Sequence, residues 1–416
     1  MRLSQRFRNA GRRLFLFLSF MGPGLITASA DNDASGIATY SMAGSVYGYG
    51  FLWLILWVTI GEVVTQEMAA RMGAVTGKGL TDLIRERFGV KTTLFVIMAL
   101  AVANMGTTAA QFAGVAAAAE LFGISRYIVV PLAALFVWFL VLRGTYKRVE
   151  KALLFLSLYA LAYIASAILV GPRWGEILRS AVVPTFRLET HFLLALMATI
   201  GTTMTPWGCA YMQASVADKG VTMDLYPYTR LDVVVGAVMG NVVSAFVIIC
   251  TAATLFTHGI RVETAEQAAL ALAPLAGQWA KQLFAAGLLG ASLLAASVLP
   301  LATTYAVSEA FGWERGIDRT SSEAPMFYGI YTLLIVLTSA FVLLPGLPLF
   351  SLMWLSQIAN AVLLPAIMVF MLILANDGGL MKRWRNTRAN NWAAGILAIL
   401  VTVSTLAMLA SPLLQR

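Results

Sequence analysis

Long apolar stretches, separated by short polar interruptions, follow one another from Phe15 to Leu414. A run of roughly 20 apolar residues lets a helix cross the ~30 Å hydrocarbon layer of a bilayer. Helices are expected because every backbone N–H and C=O within lipid must be paired inside its own segment. The pattern predicts an all-α, polytopic membrane protein with eleven spans, near residues 15–44, 51–72, 92–122, 127–143, 151–171, 191–216, 231–257, 268–312, 326–345, 350–375 and 391–411.

The composition supports this interpretation. Of the 416 residues, 59% are hydrophobic and only 12% are charged, whereas a soluble domain carries about 25% charged residues. No linker or low-complexity tract divides the chain, so residues 1–416 are expected to form one transmembrane domain. Basic residues precede the first apolar stretch, but this stretch is too long and too polar at its centre for a secretion signal.

The positive charges lie mainly on one side of the predicted membrane. The net charge is +9, and the loops on the side of the N-terminus carry 22 of the 29 Lys and Arg residues, leaving 7 on the other side. This asymmetry favours a cytoplasmic N-terminus and an outer C-terminus. The basic loops are therefore assigned to lipid headgroups rather than to nucleic acid.

Two predicted spans are interrupted near their centres by small and polar residues. The first contains GPGLITASADNDASGIATYS, and the sixth contains TIGTTMTPWGCAYMQASVADKG. Pro206 lacks an N–H, so the carbonyl near Thr202 loses its usual helical donor. Carbonyls freed in this way at membrane depth must line a cavity or bind a ligand. We expect an ion-binding site at the first break, from Asp31 to Gly36.

The two breaks are five spans apart, which is the arrangement of inverted five-helix repeats with a binding site at their interface. Residues 15–171 would form repeat one and residues 191–375 repeat two, with 391–411 as an additional helix. The alternative, that both interruptions are Gly/Pro kinks packed against neighbouring helices, remains open at this stage.

Acidic residues within the spans need partners, because an ionised carboxylate at the bilayer centre costs at least ~2.5–3.5 kcal/mol. Glu67 precedes Arg71 by four residues, which predicts an intrahelical ion pair. No Lys or Arg lies in the central thirds of these spans, so a bound cation is expected for at least one acid. The candidates are Asp31, Asp33, Glu62, Glu67, Asp232 and Glu309.

Among these acids, Asp33 lies at the break itself and is the preferred ligand. Asp31 is two residues away and could instead line a vestibule, while Glu62 is placed along the ion pathway.

No nucleophile with a nearby histidine is visible, so we expect neither an enzyme nor a bound cofactor. Cys209 and Cys250 lack a CxxC spacing, which makes disulfide and zinc sites poor interpretations.

The chain resembles the Nramp family of divalent-metal transporters over nearly its whole length, and within it the Nramp-related magnesium transporters. The resemblance rests on GPG at 22–24 followed nine residues later by Asp33, and on the Pro206-containing sixth span. It also rests on QEMAARMGAVTGKGLTDLIRERFG, SVLPLATTYAVSEAFGWERGID and LSQIANAVLLPAIMVFMLILANDGGLM. It implies a LeuT-like fold with metal held between the unwound parts of spans one and six, and alternating access.

The resemblance also assigns roles to single residues. Asp33 matches the metal-binding aspartate, and Thr202 matches the position that offers a backbone carbonyl. In span ten, Gln357 and Asn360 fall where the family places a polar residue near the metal, although such residues can also simply bond across helices.

Two departures from the transition-metal members bear on the ion. Those members have Asp-Pro-Gly-Asn in span one and Met-Pro-His in span six; here Gly36 replaces the asparagine and Thr205 the methionine. Loss of the soft thioether favours ions that prefer oxygen ligands. A site with few side-chain ligands, widened by Gly36, suits a partly hydrated Mg²⁺, and also Mn²⁺.

Proton coupling is not expected. In proton-coupled relatives the third span carries an acidic pair and the sixth a histidine, whereas this chain has Thr108, Gln111 and Trp207. Both histidines, His191 and His258, lie at predicted outer span ends. We therefore expect uncoupled transport, in a bacterial inner membrane, with no obligatory protein partner.

Several alternatives remain. A proton-coupled Mn²⁺ or Fe²⁺ importer would need Met204 to replace the missing thioether, and an oxygen-only site could also take Al³⁺. A sodium-coupled amino-acid transporter would favour exposed helix N-termini over an acid, so Asp33 argues against it. A receptor or scaffold would not require acids at a broken helix.

Overall fold

The computed structural model describes Gly24, Thr27 and residues 30–143 and 161–414. This part of the chain is mainly helical, with short loops and turns, and contains no strand. Nine of its helical stretches are long and apolar enough to cross a bilayer, and Leu161–Val170 is a shorter apolar helix. The prediction of an all-α, polytopic membrane protein is confirmed.

Sixteen α-helices are named here in chain order within the described residues. They are α1 Ala34–Tyr47, α2 Leu52–Thr76, α3 Leu80–Glu120, α4 Arg126–Arg143, α5 Leu161–Val170, α6 Trp174–Val182, α7 Thr190–Thr203, α8 Pro206–Asp218, α9 Tyr226–Thr254, α10 Ala265–Ala269, α11 Ala273–Ala276, α12 Ala280–Phe311, α13 Pro325–Val342, α14 Leu349–Asn376, α15 Gly378–Met381 and α16 Arg388–Leu414.

Each predicted span coincides with helical residues. Spans one to five correspond to α1 to α5, span six to α7 and α8, and spans seven to eleven to α9, α12, α13, α14 and α16. The predicted residues 15–23 of span one and 151–160 of span five lie outside the described residues.

Two helical features differ from the prediction. Helix α3 begins at Leu80, well before the predicted start at residue 92, and its backbone is non-helical at Gly89. Helix α6 was not predicted at all, because its polar face lowers its mean hydropathy. It buries Ile177 and exposes Leu178 and Val182, a pattern typical of a helix that lies in the membrane interface.

Close helix packing surrounds the two broken spans. Helix α3 packs along both α12 and α14, while α2 packs against α8 and α9, and α14 packs against α7. Gly201 permits the close contact between α7 and α14, because a Cβ at this position would lie 2.0 Å from the Gln357 carbonyl oxygen. Small residues commonly allow such approach between membrane helices.

Candidate functional site

The first span is broken where the sequence predicts it. Ala30 and Asp31 are helical, Asn32 and Asp33 are not, and α1 begins at Ala34. The backbone of Asp33 is extended, and its Oδ1 accepts a hydrogen bond of 2.6 Å from the Gly36 N–H. Asp33 is thus the N-cap of α1, which satisfies one of the N–H groups left open at a helix start.

The unwound segment is fixed to span seven through Asn32. The Asn32 amide donates to the Gly240 carbonyl at 2.9 Å, and its oxygen accepts from the Ser244 hydroxyl at 3.0 Å. Both partners are on α9. The break is therefore a built feature with its own contacts rather than a simple kink.

The sixth span is broken in a similar way. Helix α7 ends at Thr203, Met204 is non-helical, and α8 begins at Pro206. Thr205 is the N-cap, and its Oγ1 accepts a hydrogen bond of 3.2 Å from the Gly208 N–H. Pro206 cannot donate to the Thr202 carbonyl, as the sequence indicates.

The two breaks contact each other. The Thr205 hydroxyl donates to Asp31 Oδ1 at 3.2 Å, and the hydroxyls of Tyr40 and Thr203 are hydrogen-bonded at 2.8 Å. Asp31 is only 5% exposed, so it lies in the buried break and not in an open vestibule. Spans one and six therefore meet through the polar residues that interrupt them.

The expected widening at Gly36 is wrong. A Cβ at this position would lie 2.7 Å from the Asp31 carbonyl oxygen and 3.3 Å from the Thr202 hydroxyl. The Asp31 carbonyl occupies the place that a side chain at residue 36 would take. Gly36 consequently brings the two breaks together and leaves no additional room.

Asp33 is held from span three by Gln111. The Gln111 amide donates to Asp33 Oδ2 at 2.5 Å, and its oxygen accepts from the Ala34 N–H at 3.2 Å. Both oxygens of Asp33 are thus engaged, and the carboxylate is 3% exposed. The sequence identified Gln111 only as a replaced acid, and its orienting role was missed.

Glu62, on α2, lies beside Asp31. Its two oxygens accept from the Gln66 amide at 3.0 Å and the Asn241 amide at 2.6 Å. The carboxyl groups of Glu62 and Asp31 are close enough to interact electrostatically. Gln66 and Asn241 were also missed, although Gln66 stands one helical turn after Glu62.

Gln357 and Asn360, on α14, are connected to Asp33 only indirectly. The Asn360 amide donates to Gln357 Oε1 at 3.0 Å and to the Thr107 hydroxyl at 3.1 Å. The Thr107 carbonyl in turn accepts from Gln111 at 3.1 Å. In the described contacts, the span-ten residues therefore reach Asp33 through span three.

The other buried acids have protein partners. Glu67 forms the predicted intrahelical ion pair with Arg71, at 3.2 Å, and accepts from the Tyr226 hydroxyl. Glu309 accepts from the Thr81 hydroxyl at 2.9 Å, and Asp232 accepts from the Gly24 N–H at 2.7 Å. The prediction for Glu67 is confirmed.

By contrast, Asp31, Asp33 and Glu62 form no ion pair with any Lys or Arg of the described residues. Within that same part of the chain, no group of three Asp, Glu, His or Cys side chains could hold a metal by itself. An ion here would need hydroxyl, amide or carbonyl oxygens or water in addition to carboxylates, and all of these are hard ligands.

Two broken spans that meet around carboxylates without basic partners define a membrane transporter in which substrate binds between half-helices. The chain belongs to the Nramp family, since the family model of natural resistance-associated macrophage protein-like proteins matches residues 24–411.

Characterised relatives match most of the chain. The divalent metal cation transporter MntH of Klebsiella pneumoniae subsp. pneumoniae is 27% identical over an alignment of 416 positions, which covers 96% of this chain and 97% of the relative. MntH of Erwinia tasmaniensis is 31% identical over an alignment of 285 positions, which covers 66% of this chain and 68% of the relative.

Solved structures share the fold. The Eremococcus coleocola manganese transporter matches with a TM-score of 0.74 at 22% identity, over 95% of this chain and 86% of its own. A nucleobase-cation-symport-1 family transporter in a closed conformation matches with a TM-score of 0.59 at 15% identity, over 95% and 91% of the two chains. The expected LeuT-like fold with broken spans one and six is confirmed.

Proposed function

We propose that this protein transports divalent metal ions by alternating access, with Mg²⁺ as the preferred ion, Mn²⁺ also accepted, and no coupling to protons. The single observation that carries the proposal is the contact between the breaks of spans one and six, which is made by Asp31 and Thr205 beside Asp33. The names of the MntH relatives and of the manganese transporter support a divalent metal as substrate.

The ligands proposed for the ion are Asp33 with the carbonyl of Thr202 and the hydroxyl of Thr205. Gly36 brings these groups together, and Gln357 and Asn360 support them from span ten. The preference for Mg²⁺ rests on this oxygen-only set, because a site without thioether or imidazole favours hard ions that retain water.

The competing Mn²⁺ or Fe²⁺ importer depends on Met204 as a soft ligand. The Met204 sulfur packs at Gly61, where a Cβ would lie 2.5 Å from it, and Leu397 lies against the same position. This apolar packing favours a structural role for Met204. An amino-acid substrate is disfavoured, since its carboxylate would face those of Asp31, Asp33 and Glu62.

The absence of proton coupling is supported by Gln111, an amide that binds Asp33 where relatives carry an acid. His191 and His258 are both exposed. Uptake would then be driven by the membrane potential, which is worth about 4.6 kcal/mol for a divalent ion per 100 mV. We place the protein in a bacterial inner membrane with the N-terminus cytoplasmic.

The test of selectivity is uptake into proteoliposomes of Mg²⁺, Mn²⁺, Ca²⁺ and Cd²⁺. We expect transport of Mg²⁺ and Mn²⁺; Cd²⁺ transport without Mg²⁺ uptake would overturn the preference for a hard ion. Uptake of no divalent ion would overturn the proposed function as a whole.

Coupling is tested with a pH-sensitive dye inside the same vesicles. We expect Mg²⁺ uptake that increases with a negative interior potential and leaves the interior pH unchanged. Acidification that depends on Mg²⁺ would contradict uncoupled transport.

A further inference from the structure

We propose that Asp31 and Glu62 form a second cation position, separate from the one at Asp33. Asp31 ends the N-terminal half of span one, and Asp33 begins the half formed by α1. The two carboxylates are directed to different elements: Asp33 contacts Gln111 on α3, whereas Asp31 contacts Thr205 at the start of α8 and interacts electrostatically with Glu62 on α2.

Open oxygens at this position point to a ligand. Asp31 Oδ2 and Gln66 Oε1 are buried, and no hydrogen-bond donor of the described residues reaches either atom. The side chains of Asp31 and Gln66 are 5% and 2% exposed. Buried polar atoms without partners are uncommon, and each requires an explanation such as a bound ion.

The charges at this position require compensation. Two ionised carboxylates this close repel each other in a medium of low dielectric, so a proton or a cation must compensate them. Arg71, nine residues after Glu62 on α2, is already bound to Glu67, the Trp384 carbonyl and Asn386. A divalent cation between Asp31 and Glu62 would neutralise both carboxylates.

The oxygen atoms available to coordinate a cation determine the class of ion. Asp31 Oδ2, the Glu62 carboxylate and Gln66 Oε1 are all oxygen atoms, and they come from spans one and two. Two carboxylates with one amide oxygen and retained water suit Mg²⁺ or Mn²⁺. The choice of a divalent ion rests on the proposed function.

The second position adjoins the first. Thr205 contacts Asp31, and the Asp31 carbonyl lies against Gly36, which in turn is bonded to Asp33. An ion released from Asp33 therefore has a second set of carboxylates beside it. We assign the Asp31 and Glu62 position to the ion on its way between Asp33 and the side of the membrane on which span one begins.

Mn²⁺ binding to the purified full chain, measured by the electron paramagnetic resonance of free Mn²⁺, tests this proposal. We expect binding to persist in Asp33→Asn and in the double variant Asp31→Asn/Glu62→Gln, because each retains one position. Of these three variants, only the triple variant should lose binding, with an affinity at least about tenfold lower. Glu309→Gln is the matched control, since it removes a buried carboxylate elsewhere, and it should bind as the wild type does.

The possible outcomes separate the two proposals. Loss of binding in Asp33→Asn alone, or retained binding in the triple variant, would overturn the second position. Loss of binding in the double variant alone would instead remove Asp33 as a ligand and leave the second position standing. A wild type that binds no Mn²⁺ would overturn both.

A second variant guards against simple misfolding. Glu62→Asp keeps the charge on a shorter side chain, so in the Asp33→Asn background it should preserve binding at weaker affinity, whereas Glu62→Gln should not. Equal binding by the two variants would show that the carboxylate at this place is not a ligand.

Discussion

At the scale of single residues, two side chains both cap the start of a helix and serve as proposed ligands of the ion. Asp33 and Thr205 are the N-caps of α1 and α8, and each also contacts another span. A helix start offers open N–H groups, which hold these oxygens in fixed orientations. The breaks therefore contribute to positioning their own candidate ligands, together with Gln111 on α3.

Replacing Asp33 tests this double role. Asp33→Asn keeps an oxygen for the cap but removes the charge and the oxygen that accepts from Gln111, so we expect loss of transport with a modest loss of stability. Asp33→Ala removes the cap as well and should cost about 1 kcal/mol of stability in addition. Uptake and thermal unfolding in the same detergent measure the two effects. Normal uptake by Asp33→Asn would mean that the site has been misplaced.

Replacing Thr205 tests selectivity. Thr205→Met introduces a thioether, so relative uptake of Cd²⁺ should rise. The shift should be partial, because Gly36 stays unchanged and the lost cap costs about 1 kcal/mol. Thr205→Ser keeps the hydroxyl and is the control, with selectivity like that of the wild type. An unaltered Cd²⁺ to Mg²⁺ ratio in Thr205→Met would argue against a ligand at this position.

At the scale of helices, the site depends on how closely span six approaches its neighbours. Gly201 places α7 against α14 near Gln357, and Gly36 places α1 against α7 near Thr202. The hydrogen-bond chain from Asn360 through Thr107 and Gln111 then joins span ten to Asp33. Apart from the bond between Thr107 and Gln111 within α3, each contact joins a different pair of helices, so a small displacement of one helix would alter the geometry around Asp33.

Gly201→Ala tests the approach of α7 to α14. The added Cβ would overlap the Gln357 carbonyl, and overpacking of this kind costs roughly 1–3 kcal/mol. We expect a lower unfolding temperature and reduced uptake. Gly106→Ala on α3 is the matched control, because a Cβ there has no neighbour within 4 Å; destabilisation equal to that of Gly201→Ala would exclude the steric explanation.

At the scale of the whole molecule, the distribution of charge favours one orientation in the membrane, and we propose that a cation compensates the buried acids. The basic loops are concentrated on the side of the N-terminus, which favours that side as cytoplasmic. Three carboxylates are retained near the centre of the bundle without basic partners among the described residues. Ion transport is the function that makes both features useful, since an inside-negative potential attracts a cation toward these acids.

Cysteine labelling tests the orientation. Arg261 and Arg319 are both exposed, on opposite predicted sides. A membrane-impermeant maleimide added to intact cells should label Arg261→Cys and leave Arg319→Cys unlabelled. The native Cys209 and Cys250 are free and buried, so the wild type gives the background. The reverse labelling would invert the topology.

The sequence alone determined the helical class, the positions of most spans, both breaks and the Glu67 to Arg71 pair. These features depend on local properties: apolar length, proline without an N–H, and a spacing of four residues on one helix. Only the tertiary structure decided which acids lie together, because Asp31 and Glu62 are far apart in sequence and meet through helix packing. The tertiary structure also showed that the Asp31 carbonyl occupies the space beside Gly36 and that Gln111 holds Asp33. A close approach between helices depends on every side chain at the interface, and no local pattern along one helix specifies it.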